Sequence, residues 1–225
     1  MIEELLPPSV VSVETFGYDP GEEAALDPRE AELIVKAVAK RRREFAAVRA
    51  CARRAMAKLG VPPQAVLPGE RGAPQWPDGI AGSMTHCDGY SAAALVRADD
   101  LASLGIDAEP HAELPEGVLD AVSLPGERGR LAELAAARPD VHWDRLLFSA
   151  KESVYKAWFP LTRLWLDFSE ADIEIAADPA AASGRFRARL LVPGPVVAGR
   201  RIDAFDGRWT VARGLAATAV AVPHD

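Results

Sequence analysis

LASLGIDAEP (residues 101–110) and FSAKESVYKAW (residues 148–158) decide how this chain is read. The first is a short apolar tract that reads as a strand. In a strand residues i and i+2 point to one face, so Asp107 and Glu109 can share a ligand. The second belongs to a helical pattern over about 144–158. In a helix residues i and i+4 are neighbours, so Glu152 and Lys156 present a carboxylate and an ammonium side by side. Three carboxylates suit a hard divalent cation such as Mg2+, with Mn2+ as its alternative. A lysine beside them suits the phosphate oxygens that such a cation carries. Together the residues point to metal-assisted chemistry on a phosphate or pyrophosphate. Taken singly, each motif also has a plainer reading: a polar strand end meeting solvent, or an ion pair on a helix surface.

The flanking sequence supplies the frame. SVVSVETFG (9–17) alternates and is rich in valine, as a strand does. Asp27 and Pro28 stand as N-cap and first residue of a helix. The helical pattern runs to Leu59, stops at Gly60 and breaks near 39–41, with Phe45, Val48, Ala52, Ala55 and Leu59 forming one apolar stripe. Residues 61–79 hold five prolines and read as a loop. The tracts GIAGSMTH, YSAAALVRA and LASLGIDAE follow, parted by turn signals at CDG and ADD, and read as strands of one sheet. Residues 111–127 read as irregular. Helices are expected at about 128–137 and 144–158, with Pro160 ending the second. DIEIA, FRARLLV, RIDAFD, RWTVAR and LAATAVAV are the closing strands. The fold class is α+β, in two halves at 1–103 and 104–225.

Bulk composition narrows the function. The 225 residues are 49% hydrophobic and 26% charged, enough for a real core. A net charge of -7 argues against nucleic acid and anionic membranes as partners. No apolar run reaches membrane-spanning length, and the acidic start MIEELLPPSV lacks a signal peptide's basic region. Two cysteines, Cys51 and Cys87, give no disulfide framework or zinc spacing, and the expected compartment is the cytoplasm.

One segment runs against the overall charge. Residues 36–58 carry nine basic side chains against Glu44 alone. Arg42, Arg49 and Arg53 share a helix face with Arg43 at its edge, an arrangement suited to bidentate phosphate contacts, although a solvated face gives the same pattern. Arg71 precedes Gly72 in the proline-rich loop, where backbone can approach a ligand. Thr85 and His86 place a hydroxyl beside an imidazole near a strand end. Walker A and G-x-G-x-x-G patterns are absent.

GIDAEP followed about forty residues later by FSAKESVYKAW resembles the two signature motifs of the phosphopantetheinyl transferases of the surfactin-synthetase and enterobactin type. The matching residues are Gly105, Ile106, Asp107 and Glu109, then Phe148, Ser149, Lys151, Glu152, Ser153 and Lys156. RRREFAAVRACARRAM, the Gly72/Pro74 loop and SMTH resemble further blocks of the family in the same order. Ala73 stands where a lysine commonly precedes the loop proline, and Thr85 where serine is frequent. The resemblance implies a pseudo-twofold monomer of two similar halves with coenzyme A in the cleft between them. It implies transfer of 4'-phosphopantetheine to a serine of an apo acyl or peptidyl carrier protein, leaving adenosine 3',5'-bisphosphate. Asp107, Glu109 and Glu152 are implied metal ligands. Glu152 or a metal-bound water is the implied base. The resemblance also implies that Lys156 and Lys151 act on the phosphates, with Lys151 aiding proton transfer, and that Arg43, Arg49, Arg71, Thr85 and His86 hold the nucleotide end. Leu114, Val118 and Leu124 in 111–127 are the expected carrier contacts. A metal-dependent phosphohydrolase and a basic-helix nucleic-acid-binding module are the alternatives.

Overall fold

A computed structural model describes residues 1–179 and 181–224. Two short helices, α1 (Gly21–Ala24) and α2 (Pro28–Leu33), precede the long α3 (Ala39–Lys58). Asp27 caps α2 with Pro28 at its first position, and the break between α2 and α3 falls at 34–38, just before the expected 39–41, which open α3. The strands β1 (Val11–Phe16), β2 (Ile80–Cys87) and β3 (Tyr90–Arg97) form one antiparallel sheet in the order β1-β3-β2. α3 packs on this sheet through Cys51, Ala52, Ala55 and Met56.

The second half repeats the plan on a larger scale. β4 (Ser103–Pro110) leads through α4 (Val118–Val122) and α5 (Pro125–Ala137) to α6 (Trp143–Thr162). The remaining strands are β5 (Ala171–Ala177), β6 (Ser183–Leu190), the short ladder of β7 (Val196–Val197) and β8 (Arg200–Arg201), then β9 (Ala204–Ala212) and β10 (Leu215–Val222). The large sheet has the order β4-β10-β9-β6-β5, antiparallel throughout. Each half therefore lays one 20-residue helix on an antiparallel sheet, α3 in the first and α6 in the second. The fold is α+β with two sheet-rich halves.

Period-2 alternation explains both central strands. In β3, Ala92, Ala94 and Val96 enter the core shared by the two sheets, while Ala93 and Leu95 face α3. In β4, Leu104, Ile106 and Ala108 enter the shared core, leaving Ser103, Gly105, Asp107 and Glu109 on the α6 face.

Four expectations need correction. β4 does not continue the sheet of β2 and β3 but pairs with β10. Toward β2 its edge amides are met by side chains: Ile106 N donates to Ser83 Oγ at 3.0 Å and Ala108 N to Thr85 Oγ1 at 3.1 Å. Two hydroxyls spaced i, i+2 thus join the halves where a backbone ladder was expected. Pro160 does not end α6, which runs to Thr162 before Arg163 turns left-handed. So near the helix end a proline forfeits little beyond its own bond to the carbonyl four residues back. Residues 111–127 are not wholly irregular, since they hold α4 and the start of α5. RIDAFD and RWTVAR are not separate strands: 204–212 is continuous through Gly207, where a Cβ would lie 2.1 Å from Cζ of the Phe186 ring.

Candidate active site

Gly105 sets the spacing on which the site depends. A Cβ there would lie 2.0 Å from Ser153 O and 2.7 Å from Ala157 N, both backbone atoms of α6. Ser149, Ser153 and Ala157 recur every four residues on the facing side, and all are buried. Ser149 Oγ meets Thr218 Oγ1 of β10 at 3.0 Å, and Ser103 Oγ donates to Ala157 O at 2.8 Å. Small residues on both elements therefore press α6 onto β4 and bring the side chains of residues 107 and 156 into contact.

Asp107 is buried at 4% exposure. Its Oδ1 accepts from Lys156 Nζ at 2.7 Å and from Thr85 Oγ1 at 3.2 Å. Its Oδ2 is buried and, among the described residues, has no hydrogen-bond partner. Lys156 also donates to Ile106 O at 3.1 Å. The expected neighbour of Lys156, Glu152, makes no hydrogen bond or ion pair with it: the ammonium reaches across to the strand. Burial pushes the Glu152 carboxyl above its usual range, with nearby Asp107 adding to the rise and Lys156 opposing it. Glu109 is pushed up in the same way, by burial first and Asp107 second, against the pull of Arg145 and Lys156. Three carboxylates thus crowd around one ammonium. Among the described residues no three carboxylate, imidazole or thiol groups are drawn together as a finished chelate. An unpartnered buried anionic oxygen and two carboxyls held above their usual range are nevertheless what a divalent cation would relieve.

The other expected residues divide. His86 joins the site's edge: its Nε2 meets Arg41 of α3, and burial pushes its imidazole down. Thr85 is committed to Asp107 and Ala108, so its hydroxyl positions the carboxylate and is not free for a nucleotide. Arg43 lies over the Tyr18 ring and Arg71 over the Trp165 ring, both exposed at the ends of their side chains. Arg49 is corrected. It is buried against Glu30 and the Phe45 ring, and burial pushes its guanidinium down to about 10. The whole stripe is paired in this way, because Arg42 meets Glu23 at 3.0 Å and Arg53 meets Glu30 at 2.7 Å. The acids of α1 and α2 oppose a charge that looked unopposed within 36–58, which removes the footing of the nucleic-acid reading.

Lys151 is the second correction. Its ammonium is buried and bonded to Glu127 at 2.9 Å, Phe168 O at 2.6 Å and Ala171 O at 3.0 Å. All three of its donors are spent on the protein, so it holds α5 and β5 to α6 and has none left for phosphate. Both cysteines are unpaired thiols, and burial pushes Cys51 up to about 11 and Cys87 up to about 12, which disfavours their thiolate forms.

Three features were missed in the sequence. Arg145 donates to Glu109 Oε2 at 3.1 Å. Its position seven residues before Glu152 on one helix face was the available signal. Arg41, the partner of His86, was hidden in a basic run with Lys40, Arg42 and Arg43. A cavity of about 130 Å³ opens beside Glu152, lined by Tyr155, Trp165, Leu166 and Phe168. The rings of Tyr155 and Trp165 lie 5.1 Å apart at a tilt of 57°, with Arg71 over the Trp165 ring.

Comparison with known proteins fits this geometry. Residues 29–96 match the 4'-phosphopantetheinyl transferase N-terminal domain, and residues 103–192 match the 4'-phosphopantetheinyl transferase superfamily. The chain is 61% identical over 223 residues to the 4'-phosphopantetheinyl transferase Svp of Streptomyces mobaraensis, covering 99% of this chain and 89% of that protein. It is 52% identical over 225 residues to Npt of Nocardia iowensis, covering 98% and 99%. It is 52% identical over 193 residues to PptT of Mycobacterium tuberculosis, covering 86% and 84%. With both halves matched and the signature carboxylates and lysine assembled at one β4–α6 contact, the chain belongs to the 4'-phosphopantetheinyl transferase superfamily.

Proposed function

We propose that the chain transfers 4'-phosphopantetheine from coenzyme A to a serine of an apo carrier protein, at a divalent-cation site formed by Asp107, Glu109 and Glu152. The observation that carries the site is Asp107: one oxygen is fixed by Lys156 and Thr85, and the other is buried with no partner among the described residues. Mg2+ bound there would neutralise pyrophosphate charge and polarise the reacting phosphorus.

The chain's own residues do the rest. Lys156 stands within reach of the same space and stabilises the departing phosphate. The carrier serine oxygen attacks the β-phosphorus, its bond to the bridging oxygen breaks, and adenosine 3',5'-bisphosphate leaves. Glu152 receives the serine proton, a task that fits a carboxyl raised by burial. Arg43, Arg71 and His86 face the nucleotide end. The apolar cavity beside Glu152 suits the slender pantetheine arm. The carrier seats on 111–127, where Leu114, Val118 and Leu124 are half-buried. The site lies within one chain, so a monomer suffices. Among the described residues no helix is long and apolar enough to cross a membrane, and we place the reaction in the cytoplasm.

Steady-state transfer to a carrier protein tests the assignment. Asp107→Ala and Glu152→Ala are expected to lower turnover by about 10²-fold or more with the fold intact. Near-normal turnover in both variants rules the site out.

A further inference from the structure

Glu109, one residue before the end of β4, is held by a single side chain. Arg145, in the first turn of α6, donates NH1 to Glu109 Oε2 at 3.1 Å. Its Nε donates to Ala112 O at 3.0 Å and its NH2 to Glu113 O at 2.8 Å. The preceding residue, Asp144, accepts from Leu114 N at 2.7 Å. One helical turn thus holds both a carboxylate of the cation site and the first residues of segment 111–127. The Arg145 side chain is only 15% exposed, and its three contacts use three nitrogens of one rigid fork. An ordinary surface ion pair would use one contact and leave the other donors to water.

We propose that Arg145 is a positioning residue that couples the carrier-docking segment to Glu109. The inference rests on the reading that Glu109 holds a cation and that 111–127 receives the carrier. The guanidinium occupies Oε2 and leaves Oε1, which accepts no hydrogen bond among the described residues, available to a cation. Ala112 and Glu113 are tied to the same planar group. A carrier that shifts their carbonyls therefore shifts the carboxylate with them, and a carboxylate held in place orders the surface the carrier meets. Neither effect is available to a side chain that merely fills space at the start of a helix.

Two quantities test this. Mn2+ binding to the substrate-free protein is followed by the loss of the free-ion paramagnetic signal, and the KM for an apo carrier is measured beside that for coenzyme A. Arg145→Gln is expected to weaken Mn2+ binding about 10–100-fold, the usual effect of removing a group that orients a ligand. With Mg2+ saturating for each variant, it is also expected to raise the carrier KM several-fold and leave the coenzyme A KM unchanged. Arg145→Lys keeps the charge but reaches fewer acceptors, so it should recover part of the Mn2+ affinity and little of the carrier KM. It carries the same readings should the glutamine variant fail to fold. Unchanged or tighter Mn2+ binding overturns the proposal, the latter by showing that charge repulsion outweighs positioning. An unchanged carrier KM overturns it as well. Asp107→Asn is titrated alongside, and wild-type Mn2+ affinity in that variant overturns the cation reading itself.

Discussion

Replacing Lys151 by methionine separates a structural lysine from a catalytic one. The side chain keeps its length and loses its ammonium. Glu127, 1% exposed, then keeps its contacts from Ile173 N at 2.7 Å and Leu124 N at 2.6 Å but has no cation. The carbonyls of Phe168 and Ala171 lose the donor they share. Breaking a buried pair from one side costs about 3–5 kcal/mol, because the remaining charge is uncompensated. For a chain of this size each kcal/mol lowers Tm by about 2–4 °C, so the expected fall is about 6–20 °C. Thermal and urea melts measure it, and turnover is measured well below the new midpoint. The folded variant should retain most of its turnover. Adding Glu127→Gln should recover part of the lost stability, since the lone charge is then gone. A wild-type melt combined with a hundredfold loss of turnover would refute the reasoning and return Lys151 to the phosphates.

Gly105→Ala forces backbone apart and is expected to cost about 1–3 kcal/mol. Its loss of turnover should exceed what the melt accounts for, because Asp107 moves away from Lys156; kinetics and melts on the same sample check this. Arg43→Ala and Arg71→Ala should weaken coenzyme A binding more than dephospho-coenzyme A binding, and calorimetry giving equal losses for both would place these arginines elsewhere. Glu109 and Glu152 are raised in the folded state, so the native protein binds their protons more tightly than the unfolded chain does. Their ionisation therefore costs stability as pH rises through the raised values. The rise in Tm produced by Mg2+ should accordingly be absent at low pH and grow above the usual carboxylate range, and a pH-independent rise would contradict it.

The parts legible in the sequence were those fixed by local period. Two residues on one face of β4, a helix with Glu152 and Lys156 four apart, and the cap at Asp27 all follow from i+2 and i+4 geometry. Partner choice across long separations did not follow. Lys151 is adjacent to Glu152 in sequence, yet one residue of helix turns it by about 100° toward Glu127, whose place beside it depends on how α5 folds back. The arginines of α3 have the spacing of a phosphate stripe, but their partners lie outside the segment, at Glu22, Glu23 and Glu30. β4 looked like a third strand of the first sheet because its own residues carry no mark of β10. The hydroxyls of Ser83 and Thr85, which substitute for a ladder toward β2, looked like ordinary strand residues.

Intact-mass spectrometry of an apo carrier protein, incubated with coenzyme A and Mg2+, tests the central claim most directly. With the wild-type chain the carrier should gain about 340 Da, the mass of the phosphopantetheine group that coenzyme A carries. With folded Asp107→Asn under the same conditions it should stay at its apo mass. An unchanged mass with the wild-type chain across acyl and peptidyl carriers would contradict the activity, and an equal gain with both proteins would contradict the site.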